Sequence, residues 1–441
     1  MKIKRTKLLI MLQVGLMAAA NQSFGQEAED TLPSVIGRIN SELEIIKRLK
    51  VTGYVQAQFQ LADSAGQPSY AGGNFASQTD KRFMVRRGRV KFTYDSPAGE
   101  KGWSTSQYVL QFDVTERGMV IKDAYARITD PWTGWFQLKA GLFDRPFGFE
   151  IGYSSSLRES PERGRMSQII FINERDVGAA IAVQGPKGSV WNWLRAEGGV
   201  FNGTGAPGAG GNSSDFDKKK DFIGRLSASK TNLSETVKYS GGLSYYEGGF
   251  RVDNDTVYSV KTNDKGEKGF FVTETKFKGR NSLRQYFGVD AQISVEWKAG
   301  ITTLRGEYIK GKQPGSSSST ASPSAVFTGN LYQREFDGAY FYFIHNISHT
   351  PFQVIVKYDW YDPNTQAKGN DIGKPAEGGK PFSSADIKYE TLGVGLSWKF
   401  DANVKFVAYA DKVTNETSEN LALINKDMKD NVFTLRMQVR F

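Results

Sequence analysis

From about residue 50 to its last residue, the chain repeats one pattern: apolar and polar side chains alternate with period two. Successive side chains of a β-strand point to opposite faces, so each such segment reads as a strand with one apolar and one polar face. Phe287, Val289, Ala291, Ile293, Val295 and Trp297 oppose Asp290, Gln292, Ser294 and Glu296. Leu392, Val394, Leu396, Trp398 and Phe400 oppose Thr391, Ser397 and Lys399. The pattern holds up to the C-terminus, where Phe433, Leu435, Met437, Val439 and Phe441 alternate with Thr434, Arg436, Gln438 and Arg440. Terminal residues fray unless tied down, so this end reads as part of a sheet.

Sixteen such segments start near residues 51, 82, 105, 119, 135, 175, 191, 221, 237, 284, 301, 335, 352, 388, 404 and 430. The connections between them divide into two kinds. After even-numbered segments they are short: SPAGEKGW, DPWTG, GPKGS, SKTNLSE, KAG, ISHT and DAN. After odd-numbered segments they span 62–81, 147–174, 202–220, 248–283, 312–334, 363–387 and 414–429, with a single short exception near Glu116–Gly118. All short turns therefore lie at one rim, as expected for an outer-membrane barrel with short periplasmic turns and long outer loops. Unpaired backbone in hydrocarbon costs several kcal/mol per group, so a membrane sheet must close. The expected fold is all-β: a 16-stranded antiparallel transmembrane β-barrel over residues 51–441, with the last strand sealed against the first. Trp360, Trp398, Phe400 and Phe441 lie near strand ends, where interfacial aromatic girdles belong.

The N-terminal part follows other rules. Lys2, Lys4, Arg5 and Lys7 precede the apolar run Leu8–Ala20, and Ser23 and Gly25 stand at −3 and −1 of a cut before Gln26. This reads as a secretory signal peptide over residues 1–25. In residues 26–50, Ile36, Ile39, Leu43 and Ile46 form a helical apolar stripe. That spacing predicts a short periplasmic helix, packed on the barrel rim or joining protomers as a brief coiled coil. Loss of the leader takes Lys+Arg from 57 to 53 against 47 acids, leaving a charge of +6. With no clustered basic tail, an exported chain of this charge is not expected to bind nucleic acid. There are no cysteines, so disulfide and thiolate chemistry are excluded.

The polar face sets what a wet lumen passes, because rings or ladders of charge select ions. Arg87, Arg89 and Lys91 fall on that face of one strand, and Arg127, Lys139 and Arg145 on the inward parity of their own. Inward acids include Asp113, Asp123, Glu197, Asp290, Glu307 and Asp359, but Lys and Arg dominate these strands. Arg86 and Lys122 fall on the lipid parity and need a β-bulge or snorkelling toward a rim. The long connection 147–174 carries Arg158, Arg163 and Arg165, followed by Arg175. Folded inward it forms an anion-contacting constriction, since guanidinium forks bind phosphate and carboxylate bidentately. Left outside, the same arginines pair with Glu159, Glu162 and Glu174.

Enzymatic readings are weak. The pair His345 and His349 lies at a strand end and turn, without cysteine or a nearby carboxylate, so neither a metal site nor a cofactor is expected. GTGAPGAGG (Gly203–Gly211) lacks the GK[ST] and following helix of a phosphate loop. Inward Tyr54, Tyr125, Phe143 and Tyr409 offer an alternative, a sugar slide in a general or sugar-specific porin.

RRGRVKFTY (Arg86–Tyr94), GLFDRPFGFE (Gly141–Glu150), NERDVGAAI (Asn173–Ile181) and VKYDWYDPNT (Val356–Thr365) together resemble the phosphate-selective porins O and P, in their Bacteroidetes-type form. The resemblance implies a sixteen-stranded, usually trimeric outer-membrane channel with a basic pore, favouring small anions such as phosphate. It assigns Arg87, Arg89 and Lys91 to an arginine–lysine ladder. The terminal Phe441 resembles the signal read by the barrel-assembly machinery. The expected partners are outer-membrane lipid, two further copies of the chain, that machinery and small anions.

Overall fold

The computed structural model describes residues 43–44, 46–172, 174–205, 215–323 and 325–441. The signal peptide (1–25) and most of the expected 26–50 helix lie outside the described residues. Within that segment Leu43, Glu44 and Ile46–Arg48 are helical. The barrel unit is Lys50–Phe441.

Numbered in chain order, the first nine strands are β1 (Leu49–Ala62), β2 (Lys81–Asp95), β3 (Ser106–Thr115), β4 (Gly118–Thr129), β5 (Phe136–Asp144), β6 (Arg175–Gln184), β7 (Leu194–Phe201), β8 (Asp221–Thr231) and β9 (Val237–Gly248). They continue with β10 (Val257–Thr262), β11 (Lys268–Glu274), β12 (Arg284–Trp297), β13 (Gly300–Lys312), β14 (Leu331–Gln333), β15 (Glu335–Ile347), β16 (Phe352–Asp362), β17 (Tyr389–Lys399), β18 (Val404–Asn415) and β19 (Val432–Arg440). Sixteen close into an antiparallel barrel; β10, β11 and β14 form a separate small sheet in the long loops. All sixteen wall strands coincide with segments expected from the alternation, apart from a few residues at their ends. The small sheet was not expected. It packs on Tyr258, Phe270, Tyr332, Ile372 and Phe382, so the long-loop side carries an apolar core of its own.

Closure is made by β1 and β19, paired antiparallel from Tyr54↔Arg440 to Ala62↔Val432. Gly53 and Phe441 extend the ladder, each donating its N–H to the other's carbonyl at 3.0 Å. The alternation on β19 sorts the two faces: Phe433, Leu435, Met437 and Val439 are exposed outward, whereas Thr434, Arg436 and Gln438 are buried inward. Every backbone group of the last strand thereby finds a partner, which hydrocarbon demands.

Two residues broke the expected parity: a bulge accounts for Lys122, and a change of the inward parity within β2 accounts for Arg86. Between β3 and β4 the pairing jumps from Gln111↔Asp123 to Phe112↔Ile121, which leaves Lys122 as the extra residue. In β2 the inward face changes from Met84 to Arg87 and Arg89, while Phe83 is 84% exposed. Arg86 and Arg87 consequently both reach inward, and both pair with Glu162. A bulge re-aims a side chain at the cost of one unpaired position. In β4 it places a cation that would otherwise face lipid in the lumen.

Candidate functional site: the loop-filled lumen

The connection between β5 and β6 enters the barrel and crosses it. At its start, Gly148 takes φ +60°, and a Cβ there would run into the Glu307 carboxylate of β13. Only glycine meets both conditions without strain. Gly148 donates its N–H to Ser244 Oγ on β9 at 2.9 Å, and the N–H groups of Phe149 and Glu150 both donate to Glu307 Oε2 at 3.0 Å. On the opposite wall, Gln56 of β1 and Gln438 of β19 donate to the carbonyls of Ser155 and Ser156 at 3.0 Å. Lys405 of β18 donates to the Arg158 carbonyl at 3.1 Å, and the Ser160 and Tyr342 hydroxyls share a hydrogen bond of 2.7 Å.

Apolar packing holds the other half of the loop. Its last part forms a short helix, α1 (Arg165–Ile170). Phe147, Ile151, Met166, Ile170 and Phe171 join one buried cluster with inward Phe143, Phe201, Tyr246, Tyr286, Phe336 and Tyr361 of the wall. Thus part of the lumen is a dry core rather than water. Burying side chains of this size contributes about 1.5–3 kcal/mol each, enough to hold a loop against its ordering entropy.

The loop's electrostatic centre is Glu162. Its carboxylate accepts from Arg86 at 2.8 Å, Arg87 at 2.7 Å and Arg436 at 2.9 Å. One buried anion thus ties β2 and β19, on either side of the closing seam, to the loop tip. Sequence pattern assigns no such role to Glu162, because nothing local separates it from Glu159. The latter pairs with Arg305 at 2.9 Å.

The predicted site residues meet different fates. Arg87 is committed to Glu162, and Arg89 lies 3.3 Å from Asp113. Lys139 stands 3.7 Å from Glu197 and 3.9 Å from Asp144, and faces Arg127 across the β4–β5 pair. Arg145 is buried and donates to the carbonyls of Ile172 and Glu174 at 3.0 and 3.3 Å, so it braces the end of the loop. Arg163 pairs with Glu174; Arg175 pairs with Glu174 and with Asp123 at 3.0 Å. Arg165 leaves this group: its nearest carboxylate, Asp430, is 3.8 Å away, and its guanidinium lies over Tyr389 and Tyr70. Four have no acidic partner among the described residues: Lys91, Arg127, Arg145, which is spent on backbone carbonyls, and Arg158. Of the inward aromatics, Phe143 and Tyr409 are buried by the loop and wall, whereas Tyr54 and Tyr125 line the same cavity as Arg158.

Arg158 is the odd one. It is 5% exposed, Nε and Nη1 have no hydrogen-bond partner, and Nη2 reaches only the Tyr153 carbonyl at 3.5 Å. It lines a cavity of about 530 Å³ below the loop, together with Arg89, Lys91, Arg175 and Arg440. Asp123, Asp144 and Glu174 supply the acidic side chains, so five cations face three side-chain carboxylates. Thr52, Asn403 and Ser154–Ser156 add neutral groups that hydrogen-bond, and Gly53 and Phe441 mark this as the short-turn end of the barrel.

A closed sixteen-stranded barrel with an apolar outer belt, one-sided long loops and a loop folded through a charged lumen defines an outer-membrane porin, a multi-pass β-barrel. The chain belongs to the family described as "Phosphate-selective porin O and P", whose profile matches residues 86–441. No curated protein sequence matches it. Among solved structures, OprB of Pseudomonas putida at high pH is similar at a TM-score of 0.57 and 10% identity, covering 92% of this chain and 97% of its own. The outer-membrane channel DcaP of Acinetobacter baumannii gives 0.51 at 9% identity, over 89% of this chain and 97% of its own. OmpT of Vibrio cholerae, described as a trimer form, gives 0.49 at 10%, over 89% and 99%. At these identities the likeness is one of fold. Family and fold imply a channel.

Proposed function

We propose that the channel passes small anions by passive diffusion, inorganic phosphate among them, through the cationic cavity below the inward loop. The observation that carries this reading is a cavity lined by five cationic and three acidic side chains, in which Lys91, Arg158 and Arg440 have no acidic partner among the described residues. An oxyanion in the cavity offsets this excess of cations in charge and accepts from guanidinium and ammonium groups. Arg87 and Arg89, read along the strand as a ladder, are already neutralised. The free positive field therefore comes from Lys91, Arg158 and Arg440. The family's description agrees with an oxyanion.

The test is a planar bilayer holding the refolded protein in a chloride gradient, followed by titration with phosphate. Anion selectivity with phosphate block is expected, and Arg158→Gln with Lys91→Gln lowers both. A reversal potential near zero that the double variant leaves unchanged overturns the proposal and returns the protein to a general or sugar-specific porin. The functional unit in this reading is a homotrimer in outer-membrane lipid, and Phe441 carries the signal to the barrel-assembly machinery. Chemical cross-linking of native membranes tests the first: a ladder ending at the monomer refutes it.

A further inference from the structure

A second cavity, on the other side of the loop, has different chemistry. It encloses about 270 Å³ where α1 meets the long loops. Tyr70, Tyr361 and Tyr389 line it with Pro363 and Ile387, and Ser318, Ser319, Thr320 and Ser384 add hydroxyl-bearing residues. Its only charged lining residues are Arg165 and Asp430.

These two are built into place yet left unfinished. The Arg165 guanidinium carbon lies 3.7 Å from the centre of the Tyr389 ring and 4.6 Å from that of Tyr70, which holds its plane. The Arg165 backbone N–H donates to Asp359 Oδ1 at 3.2 Å, which fixes the first turn of α1. Both side chains are more than nine-tenths buried. Even so, Arg165 Nε and Asp430 Oδ1 have no hydrogen-bond partner, and the two side chains approach no closer than 3.8 Å. The Arg165 guanidinium and the Asp430 carboxylate thus stand at the wall of an aromatic cavity with no hydrogen bond between them. A buried ion pair gains stability only when its remaining donors and lone pairs are satisfied.

We infer that this cavity is a binding site for a neutral polyhydroxylated ring, a monosaccharide unit, held by a vicinal diol bridging Arg165 and Asp430. Each sugar hydroxyl both donates and accepts. One hydroxyl oxygen accepts from an Arg165 Nη nitrogen while its neighbour donates to Asp430 Oδ2, the two atoms 3.8 Å apart, and the apolar ring face lies against tyrosine. The pair carries no net charge, so a neutral ligand keeps the balance that an anion would upset. Pockets of this kind are mostly apolar with a few placed polar groups. The site lies on the long-loop side, where a solute from outside meets the protein first. It does not depend on the anion proposal, since the cavity below the loop shares none of its residues.

The experiment is saturation-transfer NMR on the refolded full chain in detergent, with methyl α-glucopyranoside as probe. Tetrahydropyran-2-methanol, which lacks the ring diol, is the control. Saturable transfer to the glucoside and none to the control is expected, unaffected by added inorganic phosphate. Asp430→Asn, which removes a charged acceptor, is expected to weaken the glucoside about tenfold. Tyr389→Leu is expected to weaken it while heat-modifiable electrophoretic mobility still reports a folded barrel. Equal transfer to both compounds, competition by phosphate, or a wild-type affinity in both variants overturns the inference. Failure here leaves the reversal-potential result untouched, so the two proposals stand or fall separately.

Discussion

Replacing Glu162 by alanine removes the one anion that three guanidiniums share. Arg86, Arg87 and Arg436 lie within 2.7–2.9 Å of its carboxylate, which is 6% exposed. Breaking a buried pair by deleting one partner costs about 3–5 kcal/mol, because the surviving charge stays desolvated. Here three cations survive, facing one another, so that range is a lower bound on the strain. The structure relieves it by releasing the loop tip around Pro161, whose carbonyl also accepts from Arg436 at 2.6 Å. A shift of about 3–5 kcal/mol moves a docked–undocked equilibrium by about two to three and a half decades. The start of the loop, anchored on Glu307 and the apolar cluster, stays in place. Two consequences are measurable in single-channel recordings. Conductance rises because the tip leaves the lumen, and the anion/cation permeability ratio rises because three cations lose their counter-charge. Glu162→Gln, which keeps hydrogen-bonding capacity without charge, falls between wild type and alanine. Wild-type conductance and selectivity in Glu162→Ala, with an intact barrel, would refute this account of what holds the loop.

Gly148→Ala combines a left-handed backbone with a collision against Glu307; we expect protease cleavage within 146–164 to rise at least about fivefold, in keeping with strain of about 1–3 kcal/mol. Unchanged digestion argues against that anchor. Deleting Phe441 removes the paired N–H and carbonyl that meet Gly53, and we expect lower outer-membrane abundance on immunoblots of fractionated cells; normal insertion refutes the role. In the short turn after β4, Phe136 N–H, then the Thr133 N–H and hydroxyl, donate to Asp130, and these bonds hold its carboxyl well below the usual range. The contribution of a depressed carboxyl is complete above its unfolded pKa of about 4 and is lost only as pH falls through the lower folded value. Asp130→Ala is therefore expected to lower the denaturant midpoint at neutral pH and still at pH 5. A gap already closed at pH 5 contradicts the sign.

The barrel was legible because hydrocarbon imposes a severe filter. Leu435 and Met437 meet lipid, Thr434 and Arg436 do not, and period two records this residue by residue. Loop lengths then oriented the barrel. The bulge in β4 and the parity change in β2 were legible only as anomalies: Arg86 and Lys122 stood on the wrong parity, but it is the register against β3 that makes Lys122 the extra residue. The inward loop was open between two readings, since RESPERGR carries both acids and arginines, which suit solvent as well as a lumen. Its acids find partners distant in sequence, Glu159 on Arg305 and Glu162 on Arg86, Arg87 and Arg436.

What the sequence determined alone is which side chains avoid lipid, and with them the strand number, closure and direction. What it left to tertiary structure is what the other face meets. Gln60 and Thr434 lie on the inward parity and are fully buried, joined by a 3.0 Å hydrogen bond, while Lys91 on the same parity faces a cavity. Alternation separates lipid from everything else, and a polar residue satisfied by a loop looks locally like one satisfied by water. Only the path of residues 145–174 through the barrel decides which cations are spent on structure, as Arg87 is, and which, like Arg158, remain for a solute.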